Sequence, residues 1–172
     1  PMDQLIRISP IIHAEQTYCM IEVSDVSVVV HRELVLNAMT KKFSGLALID
    51  ELTNVANRRQ FNITLEKEIH YAKRDNKPLS LIFFDIDSFK PYNDTLGHQS
   101  GDLCLVQVIT TLHNRLRRGG DTIARYGGDE FCIILPDTPL QNAVDTAENL
   151  RMLIQDLAIP HPASNTAKCV TI

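Results

Sequence analysis

The sequence predicts an α+β fold in which helices cover a sheet that contains antiparallel strands. From about residue 57 onwards, amphipathic segments typical of helices alternate with short apolar runs typical of strands. Two of these runs are joined by Gly127-Gly128, which indicates a tight hairpin. The order is helix, strand, helix, strand, strand, helix, strand, and the hydrophobic fraction of 44% suits a packed core.

Three segments carry the helical periodicity. The clearest runs from Asn57 to Lys73, repeats apolar residues at steps of three and four, and stops before Asn76-Lys77-Pro78. Asp102 to Arg117 and Pro139 to Leu157 show the same pattern, and a loop or short helix covers 88–98.

Four segments are predicted strands. Leu79 to Phe84 is a nearly unbroken apolar run, which favours a central strand buried on both faces. Thr122–Tyr126 and Glu130–Leu135 flank the two glycines, so we expect them to pair as the hairpin. Cys169–Ile172 is expected to start a further strand.

The first 49 residues are predicted to form a separate region. Residues 5–30 contain two apolar runs around the turn-like Ala14-Glu15-Gln16, which indicates a hairpin belonging to a domain that begins outside this sequence. From Val28 to Leu48 the apolar spacing predicts a helix. That helix either pairs with its own copy as a short coiled coil or packs on its own domain.

Composition argues against several classes of function. The formal net charge of −4 disfavours sequence-independent nucleic-acid binding, which needs excess basic residues. The cysteines lack C-x-x-C spacing, so they are expected to be reduced structural thiols, with Cys104 and Cys132 buried. No apolar stretch approaches the ~20 residues that span a bilayer, and no signal-peptide pattern is present. We expect a cytoplasmic location, with tethering through segments outside this sequence left open.

Acidic residues follow the apolar run that ends at Phe84. Asp85 and Asp87 are two positions apart, so they share a face in an ideal strand. Their mutual repulsion would be relieved by a divalent cation, and Mg²⁺ favours such oxygen ligands. The alternative is that both residues only form a turn or cap a helix.

A second acidic pair lies in the predicted hairpin. The turn would present Asp129 and Glu130 beside a neighbouring strand. If that neighbour ends at Asp85, three acidic groups converge, and a bound metal there could polarise a triphosphate and activate a hydroxyl. The alternative is an ordinary hairpin whose acidic pair is solvated.

The segment from Phe89 to Asp102 combines polar groups suited to a nucleotide. Lys90 can meet phosphate oxygens as a point charge. An amide such as that of Asn93, together with a carboxylate, suits the edge of guanine. His98 is either a ligand-binding residue or a structural hydrogen-bonding residue.

Taken together, these motifs resemble those of the GGDEF-domain diguanylate cyclases, whose order and spacing they follow from about residue 50 to 172. The resemblance implies a nucleotide-cyclase-like α+β fold with a ferredoxin-like core. The matching motifs are Asp50-Glu51-Leu52-Thr53 with Asn57-Arg58-Arg59, Asp85-Ile86-Asp87-Ser88-Phe89-Lys90, Asn93-Asp94, Gly97-His98, Gly101-Asp102 and Gly127-Gly128-Asp129-Glu130-Phe131.

The resemblance also implies roles for single residues. Asp85, the backbone carbonyl of Ile86 and Asp129 would hold Mg²⁺ (or Mn²⁺), with support from Glu130. Asp129 would also be the base for the 3′-hydroxyl of one GTP, which attacks the α-phosphate of a second, while Lys90 stabilises phosphate charge. Asn93 and Asp102 would read guanine with His98 nearby. These sets are catalytic Asp129, Glu130 and Lys90; metal-binding Asp85, Ile86, Asp129 and Glu130; and substrate-binding Asn93, His98 and Asp102.

Two further properties follow from the same resemblance. Each domain would bind one GTP, so activity would require a homodimer whose product is cyclic di-GMP. Arg118 and Asp121 resemble the family's R-x-x-D inhibitory product site and imply feedback inhibition. The alternative for Arg118 is a solvated basic cluster at a helix end.

Two departures qualify the resemblance. Asn54-Val55-Ala56 replaces the usual Gly-Leu-Pro, and the sequence ends where the family enters a strand and a last helix. Asp25-Val26-Ser27 resembles the end of a PAS-type sensor domain. We therefore expect sensor strands at 1–27, a signalling linker helix at 28–49 and the GGDEF domain, lacking its C-terminal part, at 50–172. The alternative function is a non-catalytic module that binds GTP or cyclic di-GMP.

Overall fold

The computed structural model describes residues 4–13, 16–25, 28, 30, 47–116 and 119–172. They belong to two compact units, 1–47 and 48–172. In the first unit, β1 (Gln4–His13) and β2 (Gln16–Asp25) pair antiparallel. The predicted N-terminal hairpin is therefore confirmed, whereas most of the predicted linker helix lies outside the described residues.

The second unit is built on a mixed sheet with the strand order β3–β5–β6–β4. β3 pairs parallel with β5, while β6 pairs antiparallel with both β5 and β4. This arrangement confirms the predicted α+β class. The strands are β3 (Ala56–Asn57), β4 (Leu79–Asp85), β5 (Thr122–Gly127) and β6 (Glu130–Pro136).

Within the described part of this unit, four helices cover the two faces of the sheet. Alternate residues of β6 point to opposite faces, so Cys132 packs with Phe61 of the first helix, whereas Ile133 packs with Val108 and Ile154 of the third and fourth. The sheet therefore lies between helices. They are α1 (Arg58–Asp75), α2 (Phe89–Leu96), α3 (His98–Arg115) and α4 (Leu140–Asp156).

Local signals fix where α1 begins and ends. Asn57 has extended backbone, and its side chain accepts a hydrogen bond from the Gln60 backbone N–H at 3.1 Å, which caps the first turn. Asn76 has φ +52° and donates its backbone N–H to Ala72, which closes the last turn. Since Asn57 also belongs to β3, the cap ties α1 directly to the sheet.

The prediction that the Leu79–Phe84 run is a central strand buried on both faces is wrong for the described sheet. β4 lies at the end of the strand order, and Leu81 and Phe83 are 41% and 57% exposed. β6 is one of the two inner strands, with five consecutive buried residues from Phe131 to Leu135. Both segments are apolar, so hydropathy alone does not order them in the sheet.

Two smaller predictions also differ from the structure. α3 begins at His98, four residues before the predicted Asp102, because Gly97 at φ +84° lets the chain turn directly from α2 into α3. Near the end of the sequence, Cys169 makes an isolated antiparallel bridge with Pro160 instead of starting a regular strand.

The buried cysteines behave as predicted. Cys104 and Cys132 are unpaired and buried, whereas Cys169 is partly exposed. Burial raises the pKa of the Cys132 thiol to about 12, so this thiol stays protonated at neutral pH. Among the described residues, no helix combines the length and the hydropathy that crossing a membrane would require.

Candidate active site

The ends of β4 and β6 bring two carboxylates together. In the antiparallel register Asp85 lies directly opposite Glu130, and Phe84 lies opposite Phe131. The two phenylalanine rings stack with centroids 5.6 Å apart, which supports this register. The strand next to the acidic hairpin is therefore β4, which ends at Asp85. The sequence alone did not determine which strand would lie beside the hairpin.

The turn of the acidic hairpin consists of Gly128 and Asp129, between the paired residues Gly127 and Glu130. Gly128, the first residue of this two-residue turn, has φ +53°. Residues with a side chain disfavour this left-handed conformation, whereas glycine adopts it readily. The sequence placed the turn one residue too early, because Gly127 belongs to β5. Arg125 donates from Nε to the Gly128 carbonyl at 2.8 Å, so the hairpin holds its own turn.

A partly buried aspartate, Asp50, supports the hairpin from the segment before β3. Asp50 accepts hydrogen bonds at Oδ1 from the Thr53 backbone N–H at 2.9 Å and the Thr53 hydroxyl at 2.7 Å. Burial opposes the ionisation of Asp50, but the Thr53 bonds and the Arg125 charge outweigh it and lower the pKa of this carboxyl. Asp50 is therefore a charged partner of Arg125, the residue that holds the turn.

The turn after β4 separates the two aspartates of the first motif. Asp87 is not in β4: its backbone N–H donates to the Thr171 carbonyl at 3.0 Å, and its carboxylate accepts from the Thr171 hydroxyl at 2.6 Å. Ile86 is 2% exposed, and its carbonyl accepts from the Phe89 N–H at 3.3 Å. Asp85 therefore faces the hairpin, whereas Asp87 is a structural partner of the C-terminal segment.

A cavity of about 280 Å³ opens at the acidic end of the sheet. Its walls are aromatic and its rim is acidic, which suits a ligand with a flat apolar part and a metal-bound or cationic part. Tyr126 and Phe83 meet edge to face at 5.7 Å, and the Arg58 guanidinium lies 4.4 Å from the centre of the Tyr126 ring. The lining residues are Phe83, Phe84, Asp85, Tyr126 and Glu130.

The predicted guanine-reading residues lie on α2 and α3. Asn93 packs so closely against α3 that a Cβ on Gly101 would lie 1.8 Å from its Oδ1. That oxygen is buried and has no hydrogen-bond partner among the described residues. His98 and Asp102 lie in the first turns of α3 and are exposed, as is Lys90 in α2. The close packing at Gly101 therefore fixes Asn93 beside the N-terminus of α3.

The carboxylates at the hairpin are oxygen ligands of a kind that could hold a divalent cation. Asp85, Asp129 and Glu130 make no ion pair or side-chain hydrogen bond with any residue that the structure describes. Two facing carboxylates without a cation repel each other, and oxygen ligands are those that Mg²⁺ prefers. In the same part of the chain, however, no three His, Cys, Asp or Glu side chains lie together as a complete metal site. The expected convergence of three acidic side chains is therefore reduced to the pair Asp85 and Glu130.

The residues of the predicted inhibitory site are only partly described. Arg118 lies outside the described residues, whereas Asp121 is half-buried just before β5. Asp121 lines a cavity of about 340 Å³ together with polar side chains from both neighbouring helices, including Arg115, Thr146 and Asn149. The inhibitory role of this region stays a prediction.

Two residues that contact the site were missed by the sequence analysis. Thr171 holds Asp87, and His161, which is 1% exposed, hydrogen-bonds through Nε2 with the Ser88 carbonyl at 3.1 Å. Both contacts span more than seventy residues in sequence and involve no repeated spacing, so a single sequence offers no signal for them.

Comparisons with known proteins agree with this architecture. The family model described as "Diguanylate cyclase, GGDEF domain" matches residues 47–172. The Escherichia coli "Probable diguanylate cyclase DgcC" is 36% identical over 128 residues, which are 74% of this chain and 34% of that protein. The Caulobacter vibrioides "Response regulator PleD" is 41% identical over 107 residues, 62% of this chain and 23% of that protein. The chain thus spans about a third or less of these relatives.

Solved structures give the same answer. The GGDEF domain of DgcB from Caulobacter crescentus, solved in complex with c-di-GMP, has a TM-score of 0.64 and 30% identity, covering 72% of this chain and 70% of that one. Diguanylate cyclase SiaD from Pseudomonas aeruginosa, solved with its activator SiaC, has a TM-score of 0.65 and 31% identity, covering 84% of this chain and 54% of that one. Since the family model matches from residue 47 to the end, this chain belongs to the GGDEF-domain family of diguanylate cyclases.

Proposed function

We propose that the protein carrying this chain is a diguanylate cyclase that condenses two GTP molecules into cyclic di-GMP. The observation that carries the proposal is the register that sets Asp85 opposite Glu130 beside the Gly128-Asp129 turn. This places the acidic groups of two separate family motifs at one edge of the sheet. Family membership and the match to a GGDEF domain solved with c-di-GMP support the same activity.

The chemistry requires two successive phosphoryl transfers. In each, the 3′-hydroxyl oxygen of one GTP forms a bond to the α-phosphorus of the other, and the bond from that phosphorus to the β-phosphate bridging oxygen breaks. Asp129, half-buried in the hairpin turn, accepts the hydroxyl proton, and pyrophosphate leaves. Lys90, exposed in α2, stabilises the negative charge on the phosphates.

Mg²⁺ or Mn²⁺ is the proposed cofactor at the hairpin. Asp85, Asp129 and the carbonyl of Ile86 would hold it, with Glu130 in support. The Ile86 carbonyl accepts one hydrogen bond from Phe89 and so keeps a second lone pair. When bound, the cation would supply positive charge that polarises the triphosphate. The facing carboxylates without a basic partner in the described residues favour such a role.

Guanine recognition is proposed for Asn93 and Asp102, with His98 nearby. Guanine presents N–H donors on its edge, and these require acceptors. The Asp102 carboxylate, exposed one residue after Gly101, supplies such an acceptor. The Asn93 Oδ1 atom is buried, but the residue as a whole is partly exposed, so its amide N–H₂ group would donate to the acceptors of guanine.

The functional unit is proposed to be a homodimer controlled from upstream. One domain offers one set of these residues, whereas the reaction joins two GTP molecules, so two domains must face each other. The N-terminal hairpin is compatible with the end of a PAS-type sensor, and the linker at 28–49 would transmit its state to the dimer. The product, cyclic di-GMP, would inhibit by binding at Arg118 and Asp121.

The alternative is a regulatory module that binds GTP or cyclic di-GMP without turnover. The intact Gly127-Gly128-Asp129-Glu130-Phe131 sequence and the facing carboxylates favour the enzyme, because they retain the residues proposed for proton transfer and cation binding. An inactive protein that binds either nucleotide saturably would instead support the alternative.

The decisive experiment compares Asp129→Asn with Asp137→Asn in the full-length protein. Each is incubated with GTP and Mg²⁺, and cyclic di-GMP is quantified by chromatography. We expect Asp129→Asn to lower turnover by at least about a hundredfold, a typical effect of removing a general base, with an unchanged melting temperature. Asp137 lies at the far end of β6 and pairs with Lys77 on the surface, so its variant is the matched control. Full activity of Asp129→Asn would refute the proposed base.

A further inference from the structure

His161 is a buried imidazole beside the turn that follows β4. It is 1% exposed, and its Nε2 lies 3.1 Å from the Ser88 carbonyl oxygen. Because a carbonyl only accepts, Nε2 carries the proton and donates it. The ring also meets Tyr92 edge to face, with centroids 5.0 Å apart and planes at 90°. One imidazole thus contacts both the turn and the first turn of α2.

The backbone that His161 holds is unusual and lies between two proposed ligand groups. Ser88 has φ +55°, in the left-handed region that side chains disfavour, and no side-chain cap supports it at the start of α2. Ile86 precedes it by two residues, and Lys90 follows it by two. The direction of the Ser88 carbonyl is therefore coupled to the placement of the Ile86 carbonyl and of the Lys90 side chain.

The same C-terminal segment holds the turn from its other side. Thr171 binds both the backbone and the carboxylate of Asp87. The ends of the segment are joined to each other by hydrogen bonds from the His161 N–H to Lys168 at 3.0 Å and from the Val170 N–H to Ile159 at 2.9 Å. The segment from Ile159 to Thr171 is therefore a closed loop that holds Asp87 and Ser88 from its two ends.

Packing alone does not explain a histidine at this position. Nδ1 of His161 is buried without a hydrogen-bond partner among the described residues, and such a group carries a desolvation cost that an apolar side chain would avoid. The donor at Nε2 is the feature that an apolar residue could not supply. The hydrogen bond to the Ser88 carbonyl is therefore the contact that explains a histidine at position 161.

We propose that His161 is a positioning residue that orients the Ser88 turn so that the Ile86 carbonyl and Lys90 meet the triphosphate and its cation. This inference rests on the proposed cyclase function. His161 touches no reacting atom, and its effect passes through the Ser88 carbonyl. Guanine recognition, which depends on Asn93 and Asp102, is independent of it.

The test compares His161→Gln with His161→Asn in the full-length protein, because the amide groups of Gln and Asn extend to different distances from the backbone. Gln places its amide nitrogen as many bonds from Cβ as the Nε2 of histidine, whereas Asn is one bond shorter. His161→Gln is therefore expected to keep kcat within about threefold, and His161→Asn to lower it by about 10- to 100-fold, as small misplacements of reacting groups do. KM for GTP, measured with Mg²⁺, should stay near the wild-type value in His161→Gln and rise in His161→Asn.

A binding measurement separates positioning from a general loss of activity. 3′-Deoxy-GTP lacks the attacking hydroxyl, so its affinity can be measured with and without Mg²⁺ without turnover. We expect the factor by which Mg²⁺ tightens its binding to fall by about tenfold in His161→Asn and to persist in His161→Gln, because only the phosphate and cation contacts depend on the turn.

Each outcome decides the proposal. Equal kcat and equal Mg²⁺ factors in the two variants would overturn it, and so would loss of the folded state in both, because His161 would then be a general folding residue. Melting temperatures of both variants distinguish these cases. A wild-type protein that forms no cyclic di-GMP would refute the proposed cyclase function instead. An active wild type, with equal kcat and equal Mg²⁺ factors in the two variants, would refute only the positioning role of His161.

Discussion

Arg125 joins the turn of the acidic hairpin to Asp50, seventy-five residues earlier in the chain. Its Nη1 lies 3.1 Å from Oδ1 and 3.3 Å from Oδ2 of Asp50, while its Nε holds the Gly128 carbonyl. The two side chains are only 18% and 21% exposed, so water screens this pair less than a surface pair. The pair therefore couples the position of the hairpin turn to the segment that enters β3.

The substitution Asp50→Asn should loosen this hairpin. It removes the charge from a carboxylate that accepts bonds from both Thr53 and Arg125, and hydrogen bonds to charged groups contribute about 1.5–3 kcal/mol each. We expect the free energy of unfolding in urea to fall by about that amount at pH 7, with lower cyclase turnover. Asp137→Asn, which breaks the exposed pair with Lys77, is the control and should cost less than about 1 kcal/mol.

The same variant carries a pH dependence. Because the native pKa of Asp50 lies below its ordinary value of 3.8, the charged group stabilises the fold fully above that value and loses its effect as the pH falls through the native pKa. The stability difference between wild type and Asp50→Asn should therefore be constant near neutral pH and shrink below about pH 4. A difference that grows on acidification would contradict the lowered pKa.

The facing carboxylates of Asp85 and Glu130 should lower the stability of the fold when no divalent cation is bound. Asp85 and Glu130 are opposite each other with no cationic partner among the described residues, and like charges in cross-strand positions destabilise a sheet by about 0.2–1 kcal/mol. In the absence of divalent cations, we expect Asp85→Asn and Glu130→Gln each to raise the urea midpoint. The double variant should gain less than the sum of the two, because either substitution removes the repulsion.

Added Mg²⁺ provides the control for that prediction. The cation should raise the urea midpoint of the wild type through binding to the native state, and it should do so less in either single variant. Both variants should also be poor cyclases. Independent, additive effects in the double variant would show that the two carboxylates do not interact.

The local features of this fold were predictable, and the order of the strands was not. Asn57 before an amphipathic run and Gly128 between two apolar runs are signals that act within a few residues, and both are found in the cap of α1 and the β5–β6 turn. The strand order depends on contacts between distant segments. β4 and β6 have similar apolar content, so their central and edge positions could not be distinguished from composition.

The acidic residues of the candidate site were predicted, but the contacts that position them were not. Asp85 and Glu130 lie in recognisable motifs, so their role could be proposed before their register was known. His161 and Thr171 act through single hydrogen bonds to the turn after β4, and neither lies in a periodic or repeated pattern. Supporting residues of this kind become visible only when the chain is folded.

Position 101 should not tolerate a residue larger than glycine, because the Asn93 side chain occupies the adjacent space. A Cβ at this position would lie 1.8 Å from the Asn93 Oδ1 and 2.9 Å from its Cγ, so Gly101→Ala must displace the proposed guanine-binding amide. We expect KM for GTP to rise by about tenfold or more, which corresponds to the loss of one good hydrogen bond to the base. Gln99→Ala, at an exposed position two residues earlier in α3, is the control for helix effects.

A second background tests whether the clash is the cause. With Asn93→Ala the two closest atoms are gone and the nearest remaining atom is Cζ of Phe89 at 3.2 Å, so adding Gly101→Ala should cost much less stability than it does in the wild type. Urea unfolding of the four variants of this cycle gives the coupling between the two positions. An equal cost of Gly101→Ala in both backgrounds would show that Asn93 is not the group that excludes a side chain.

Feedback by the product should depend on Asp121 and Arg118. If cyclic di-GMP binds there, Asp121→Asn and Arg118→Gln should each raise the concentration that halves the initial rate by about tenfold, since a charged hydrogen bond to the ligand is lost. Initial rates measured without added product should stay near the wild-type value, because these residues lie outside the proposed catalytic set. Arg115→Gln is a control for charge, as Arg115 lines the neighbouring cavity without belonging to the motif. Inhibition unchanged in both motif variants, or weakened equally by Arg115→Gln, would show that the motif is not the product site.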